Sequence, residues 1–261
     1  MTTPFPTFID QLSRAWKLFL SRWGTAVVLE LLIIIPALLT IPLMVQYLSA
    51  LSQGVDVFTV VEQSPYTGQF LIGFFTAIFF GILSMTAMML LFTAEKKISL
   101  FVALTGAVKV YIPVLYTSFL AALLVAISFL PSEVLNFWYL SVRNTFPLSE
   151  GGLAALDIVE FVAFVALMIP AFIVTIWVMY APLAVALKET SGGVRALLFS
   201  KEVVRKHVWG VAWRMLGALV LFQVVSISVS QLPIAGVIVP FVLMILTIAF
   251  FVELYKELRA R

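Results

Sequence analysis

The sequence predicts an all-α, polytopic membrane helical bundle of six transmembrane helices with cytoplasmic interfacial elbow helices. Composition is the first reason. Of 261 residues, 63% are hydrophobic and 11% charged, whereas a soluble domain carries roughly 25% charged residues. One water-soluble core cannot bury that apolar surplus, so lipid must be the solvent for much of the chain. Charge spacing is the second. The runs Leu31–Val55, Gln63–Ala94, Val110–Ser132, Phe161–Leu187 and Met215–Val252 contain no Asp, Glu, Lys or Arg. Each meets the roughly 20 residues that a helix needs to cross the hydrocarbon. The third is the absence of the alternating ten-residue segments that mark membrane strands, which leaves helices to satisfy the backbone.

The whole chain, 1–261, reads as a single integral membrane domain. A short amphipathic helix is expected over 7–23. Phe8, Leu12, Trp16, Phe19 and Trp23 recur there at helical spacing, with Asp10, Ser13, Arg14, Lys17 and Ser21 on other faces. Thr7 stands three residues before Asp10 as its N-cap. Such a segment either lies in the inner interface and meets anionic lipid, or anchors the tilt of the first span. The first apolar run starts too late and is too long for a cleaved signal peptide.

Spans are expected over about 25–48, 70–92, 111–130, 158–187, 211–229 and 234–254. The fourth is longer than one crossing requires and holds Pro170 and Pro182. It should therefore tilt, kink at a proline, or project beyond the membrane. The last uncharged run is divided at Ser230-Gln231-Leu232-Pro233, because basic residues flank it at both ends: Arg205 and Lys206 before, Lys256, Arg259 and Arg261 after. An even number of crossings puts both groups on one side. With that division, fifteen of the sixteen Lys and Arg share a side, and only Arg143 falls opposite, among Asp56, Glu62, Glu133, Glu150 and Asp157. The positive-inside rule then places both termini in the cytoplasm, in the cell (inner) membrane. Trp16, Trp23, Trp209 and Trp213 cluster near the inner interface, and Trp138 with Tyr139 near the outer one.

Two cytoplasmic segments, 99–109 and 191–207, read as elbow helices between spans. Each opens with Ser, holds an Ala-Leu pair (Ala103-Leu104, Ala196-Leu197) and feeds a span ending at Leu-Pro (Leu130-Pro131, Leu232-Pro233). The units of this repeat share one orientation, unlike the inverted repeats of many secondary transporters. Around the second elbow, Tyr180-Ala181-Pro182, Glu189, Arg195-Ala196-Leu197, Ser200, His207 and Trp209 lead on to a closing Glu253-Leu254-Tyr255-Lys256-Glu257-Leu258-Arg259. In this the chain resembles a broad group of six-span bacterial membrane proteins. They include the membrane domain found beside glycerophosphoryl diester phosphodiesterases and related families of unknown function. The resemblance implies a six-helix fold with interfacial elbows. It implies no activity, since the phosphodiesterase chemistry of that group belongs to a separate soluble domain.

No catalytic constellation stands out. With one His and no Cys, a His-based or thiolate metal site is not expected. A Ser-His-acid triad would have to use His207, which sits in a basic run. No glycine-rich phosphate loop appears, since Gly192-Gly193 lacks the spacing and the lysine. No cofactor is implied, and nothing points to nucleic acid.

Polar residues near the hydrocarbon are the more informative ones. Glu30 lies about five residues into span one, and Arg214 enters span five to a similar depth. An intramembrane ion pair, Glu30 with Arg214, would dock the two spans. The competing reading makes Glu30 a proton or cation ligand, with Arg214 snorkelling to the interface. Replacing Glu30 by Gln and Arg214 by Leu, singly and together, separates the two. The pair requires the double variant to be more stable than the summed single losses. Glu160 is expected to cap the first turn of span four.

The basic second elbow (Lys201, Arg205, Lys206, His207) is placed to contact anionic headgroups, each charge worth about 1 kcal/mol near such a surface. A solvated positive-inside loop explains the same charges. The favoured expectation is a non-enzymatic membrane protein of lipid or envelope physiology, or a module that binds a membrane or cytoplasmic protein partner. The alternative is a permease or transport-complex subunit, for which Thr76, Ser84, Thr86, Ser118, Thr175, Gln223 and the Ser226/Ser228/Ser230 series supply mid-depth polar groups. An intramembrane enzyme is the weakest reading.

Overall fold

Helix α1 begins where the sequence provides a cap. The Thr7 hydroxyl accepts from the Asp10 N–H at 3.2 Å, and the Asp10 carboxylate accepts from the Thr7 N–H at 3.2 Å, a reciprocal capping box. The computed structural model describes residues 6–52, 64–146, 149–229, 231–232 and 235–260. From the cap, α1 runs as one helix, Phe8–Ala37, with Pro36 in its last turn. A single 3-10 turn, Leu38–Thr40, then leads into α2, Ile41–Ser52. Pro42 explains that jog, because it has no N–H to donate four residues back and its ring crowds the carbonyl of Leu38. The amphipathic segment and the first part of the first span are therefore one continuous helix, and the 3-10 turn divides the span itself.

The remaining elements are α3 (Thr67–Thr93), α4 (Leu100–Thr145), α5 (Glu150–Val178), α6 (Ala181–Ala186), α7 (Val194–Arg205), α8 (Val208–Val229) and α9 (Ala235–Arg259). All described regular structure is helical, and six helical stretches are long and apolar enough to cross a membrane. This is the all-α polytopic bundle that the composition requires. Residues such as Phe75 and Phe119, 64% and 63% exposed, have no place on a water-facing surface in such numbers and are at home against lipid.

Several boundaries move. The residues expected as a first elbow, 99–109, form the opening turns of α4, a 46-residue helix with Pro113 and Pro131 inside it. At a rise of about 1.5 Å per residue it exceeds one bilayer crossing. The fourth span starts earlier, with Ser149 as N-cap accepting from the Gly152 N–H at 3.3 Å. That start puts Glu160 in the third turn of α5 and not at its cap. The excess length of this span is resolved by a break at Met179–Tyr180, where Pro182 enters the first turn of α6. The last uncharged run divides as expected, α8 ending at Val229 and α9 opening at Ala235; residues 230, 233 and 234 of the connection lie outside the described residues.

The chain divides into two compact units, Met1–Ile112 with Leu216–Arg261, and Pro113–Met215. In the first, α1 packs along α3 and α9, and α3 also meets the 3-10 turn. Ala15, Ala26, Ala87 and Ala249 are fully buried, small side chains that let helix backbones approach. At Gly73 of α3 an added Cβ would lie 2.8 Å from Leu39 Cβ and 3.2 Å from the Pro36 carbonyl. In the second unit, α7 packs against α5 and α6.

Candidate functional site: a basic elbow and a buried polar seam

The second elbow exists as α7, and its sequence explains how it is held. Ala196, Ser200 and Val204, four residues apart, are all buried and face α5 and α6. The break before α6 frees the Tyr180 N–H, which donates to the Ser200 hydroxyl at 3.2 Å. Tyr180 and Ser200, twenty residues apart in the motif, are thus brought together. Helix α6 ends in a Schellman pattern, with Glu189 N–H donating to the Ala184 carbonyl and Lys188 N–H to that of Val185, both at 2.9 Å. Lys188 takes the left-handed position there, φ 59. The Gly192-Gly193 turn then docks on α4, where Gly193 N–H donates to the Thr117 hydroxyl at 2.7 Å.

On the other side of α7, Lys201, Arg205 and Lys206 are exposed, and His207 is half-buried. The Lys201 ammonium lies 4.6 Å from the centre of the Trp177 ring, a cation–π contact that holds its stem against α5. Val194, Leu198, Trp209 and Trp213 are 59–68% exposed around these charges. A helix with one face pinned to protein and the other both basic and apolar suits a membrane surface.

The first unit contains a polar seam. Gln11, Ala15, Phe19, Ala26, Leu29 and Glu30 are buried along one face of α1, whereas Trp16 and Trp23 of the expected apolar stripe are 44% and 58% exposed. The two tryptophans thus face outward, while Phe19 and Leu29 turn toward protein together with small and polar side chains. Ser84 of α3 donates to the Leu29 carbonyl at 2.6 Å, one residue before Glu30. Glu30 is 3% exposed, and its Oε2 has no hydrogen-bond partner among the described residues; the same holds for both amide atoms of Gln11.

Where the seam reaches the basic end of α3, two cations cap that helix. Arg22 donates through Nη2 to the Ala94 carbonyl, and Lys256 donates through Nζ to the Phe92 carbonyl at 3.0 Å. A helix leaves its last carbonyls unpaired and its C-terminus partially negative, so cations there are doubly suited. Lys256 also pairs with Glu253 at 2.9 Å, and Arg14 with Glu257 at 3.6 Å. The sequence assigned Arg14, Arg22 and Lys256 to a side of the membrane but gave no partners. The one signal for the caps was that α3 ends at Thr93-Ala94 with no glycine to close it.

Glu30 belongs to the first unit and Arg214 to the second. Arg214 donates through Nη1 to the Gly210 carbonyl at 2.8 Å, one turn back on its own helix. At the other end of the second unit, Tyr139 donates to Asp157 at 2.6 Å, and Arg143 donates to the Tyr139 hydroxyl. Tyr139 is buried while Arg143 and Asp157 are exposed; the cluster links α4 to α5, and its exposed ion pair contributes little free energy by itself. Thr76, Thr86, Thr175 and Ser228 donate back to carbonyls one turn earlier in their own helices, so these hydroxyls are occupied. Among the described residues no group of three His, Asp or Glu is placed to hold a metal ion.

Two cavities lie against α1. One, of about 400 Å³, is apolar and lined by residues including Ile9, Leu12, Trp16, Phe222 and Leu246. The other, of about 310 Å³, is lined by Ser21, Arg22, Trp23, Thr25 and Lys97 among others. In comparison with known proteins, no family model, curated protein or solved structure matches this chain.

Proposed function

We propose that this chain is a non-enzymatic multi-pass protein of the cytoplasmic membrane, with both termini inside, that works in lipid or envelope physiology by engaging anionic headgroups at its basic elbow. The observation that carries the reading is the two-sided character of α7. Its Ala196, Ser200 and Val204 are buried, while Lys201, Arg205 and Lys206 are exposed next to exposed Leu198 and Trp209. A solvated loop has no need of the exposed Leu and Trp, and a protein-packed helix has no need of the bases. The layout implied by the resemblance to six-span bacterial membrane proteins fits this role, as does a membrane or cytoplasmic protein docking on the same face.

Neutralising Lys201, Arg205 and Lys206 together to Gln tests it. At about 1 kcal/mol per charge, the triple variant should retain anionic phospholipid on the order of 100-fold more weakly than wild type. Retention of phosphatidylcholine should not change, and the difference should shrink as salt is raised. Native mass spectrometry of the purified protein reads all three. Unchanged retention of phosphatidylglycerol would remove the elbow as the contact. A transport-subunit reading is favoured by one observation, the buried Glu30 whose Oε2 has no partner among the described residues. Solute flux through protein-bearing vesicles that disappears in Glu30→Gln, with lipid retention unaltered by the elbow variant, would establish that reading instead.

A further inference from the structure

The polar cavity at the end of α3 is a different kind of surface from the elbow. It is walled by Leu20 to Thr25 of α1 and by Leu91, Lys97 and Ile98 at and beyond the end of α3. Arg22 is one of its lining residues. One guanidinium nitrogen, Nη2, is committed to the Ala94 carbonyl. The other, Nη1, is buried and has no hydrogen-bond partner among the described residues. Leaving a buried charged donor unpaired is costly. Glu253 acts on Arg22 electrostatically but makes no hydrogen bond to its Nη1; one of the Glu253 oxygens accepts from Lys256 at 2.9 Å. The cavity is therefore lined by Arg22, whose buried Nη1 lies unsatisfied behind its wall, by a second cation at Lys97, and by the hydroxyl-bearing residues Ser21 and Thr25. Ser21 already donates its hydrogen to the Leu18 carbonyl at 2.8 Å, so it offers a phosphate no donor.

We infer that this cavity is a binding site for a phosphate group, with Arg22 and Lys97 as its cationic ligands and a phospholipid as the source. Phosphate oxygens are acceptors only, which matches a site whose open capacity is donor-rich. An arginine already fixed by one hydrogen bond presents its remaining N–H groups without further loss of freedom. Leu20 and Trp23, 50% and 58% exposed at the rim, would lie along the glycerol and upper acyl chain, the depth at which tryptophan prefers to sit. A free phosphate ion would make the same contacts with Arg22 and Lys97 but gain nothing from Leu20 or Trp23.

The inference rests on the lipid reading only for the source of the phosphate, and the site is separate from α7. Lys97→Gln is the main variant, since Lys97 is exposed and caps nothing; Arg22→Lys is the second, keeping charge while removing the planar fork. Purified full-length protein is titrated with phosphatidylglycerol, phosphatidylcholine or inorganic phosphate and read by native mass spectrometry, with Lys201/Arg205/Lys206→Gln in parallel. Phosphatidylglycerol should bind Lys97→Gln about five-fold more weakly, the loss of one cation at the headgroup. The effect should add to that of the elbow variant, as independent sites do. Binding of inorganic phosphate alone that is weakened in Lys97→Gln would keep the site and its ligands but overturn the lipid as source. Phosphatidylglycerol binding unchanged in both Lys97→Gln and Arg22→Lys overturns the site itself. If the elbow variant alone loses lipid, this inference fails and the proposed function stands.

Discussion

Gly193→Ala should loosen the second elbow more than any other single-atom-scale change in its unit. Gly193 has φ 64 and ψ −144, a backbone conformation that glycine adopts freely and an L-residue does not. Holding alanine there costs about 1–3 kcal/mol. The new methyl would also meet Tyr116 Cε1 at 2.9 Å; that ring is 55% exposed and can swing aside. The consequence is larger than the strain alone, because the Gly193 N–H is the donor to Thr117 that fixes the start of α7. A turn that relaxes its φ loses that bond, worth about 1 kcal/mol more. The expected result is a lower unfolding temperature in detergent with faster amide exchange over residues 191–205. Thr117→Val, which removes the acceptor but leaves the backbone unstrained, should show a smaller loss of the same kind. Wild-type exchange rates in Gly193→Ala would mean that the turn is not what holds the elbow.

Gly73→Val should have the largest effect in the other unit. The Cβ contacts there are with Leu39 Cβ at 2.8 Å and the Pro36 carbonyl at 3.2 Å, atoms close to a backbone whose path Pro36 and Pro42 already constrain. Neither can rotate away, so α3 must shift off the jog in α1. Overpacking of this kind costs about 1–3 kcal/mol and more for a branched side chain. Alanine at the same position gains up to about 1 kcal/mol of helix preference, so its net loss should be smaller. Gly81 is the internal control. It lies two turns further along α3 with nothing within 4 Å of an added Cβ, and Gly81→Ala should be neutral or slightly stabilising. Equal thermal stability of Gly73→Val and Gly81→Val would show that the close approach does not matter.

These two glycines mark how far the sequence could be read. Gly73 and Gly81 are equivalent in the sequence, eight residues apart on one span, and both suit close helix contact. Only the path of Leu38–Thr40, set by Pro42, makes one of them critical. The amphipathic pattern of residues 7–23 gave a helix and its cap correctly. It did not give the protein-facing side, because in lipid apolar size alone does not decide which face turns inward. Trp16 and Trp23 therefore stay outside while Gln11 and Ala15 turn in. The first elbow differed for a related reason. Nothing between Ser99 and Lys109 forbids continued helix, and Pro113 is tolerated inside α4, so the pattern shared with 191–207 yielded two different local structures. Only the second copy contains the Gly-Gly pair that turns the chain.

Charge spacing and apolar length, taken alone, determined that this chain is helical, that it offers six stretches able to cross a membrane, and where Thr7 starts the first helix. Those properties follow from local rules: a hydrocarbon solvent, an obligatory backbone hydrogen bond, and a cap within three residues. Tertiary structure decided the rest. It chose Ala94 as the partner of Arg22 and Phe92 as that of Lys256, joined Ser200 to Tyr180, and gathered Arg22 and Lys97 around one cavity. Such pairings depend on which helix face meets which neighbour, and lipid, being as apolar as any core, leaves that choice to close packing and to the few polar groups that must find one another.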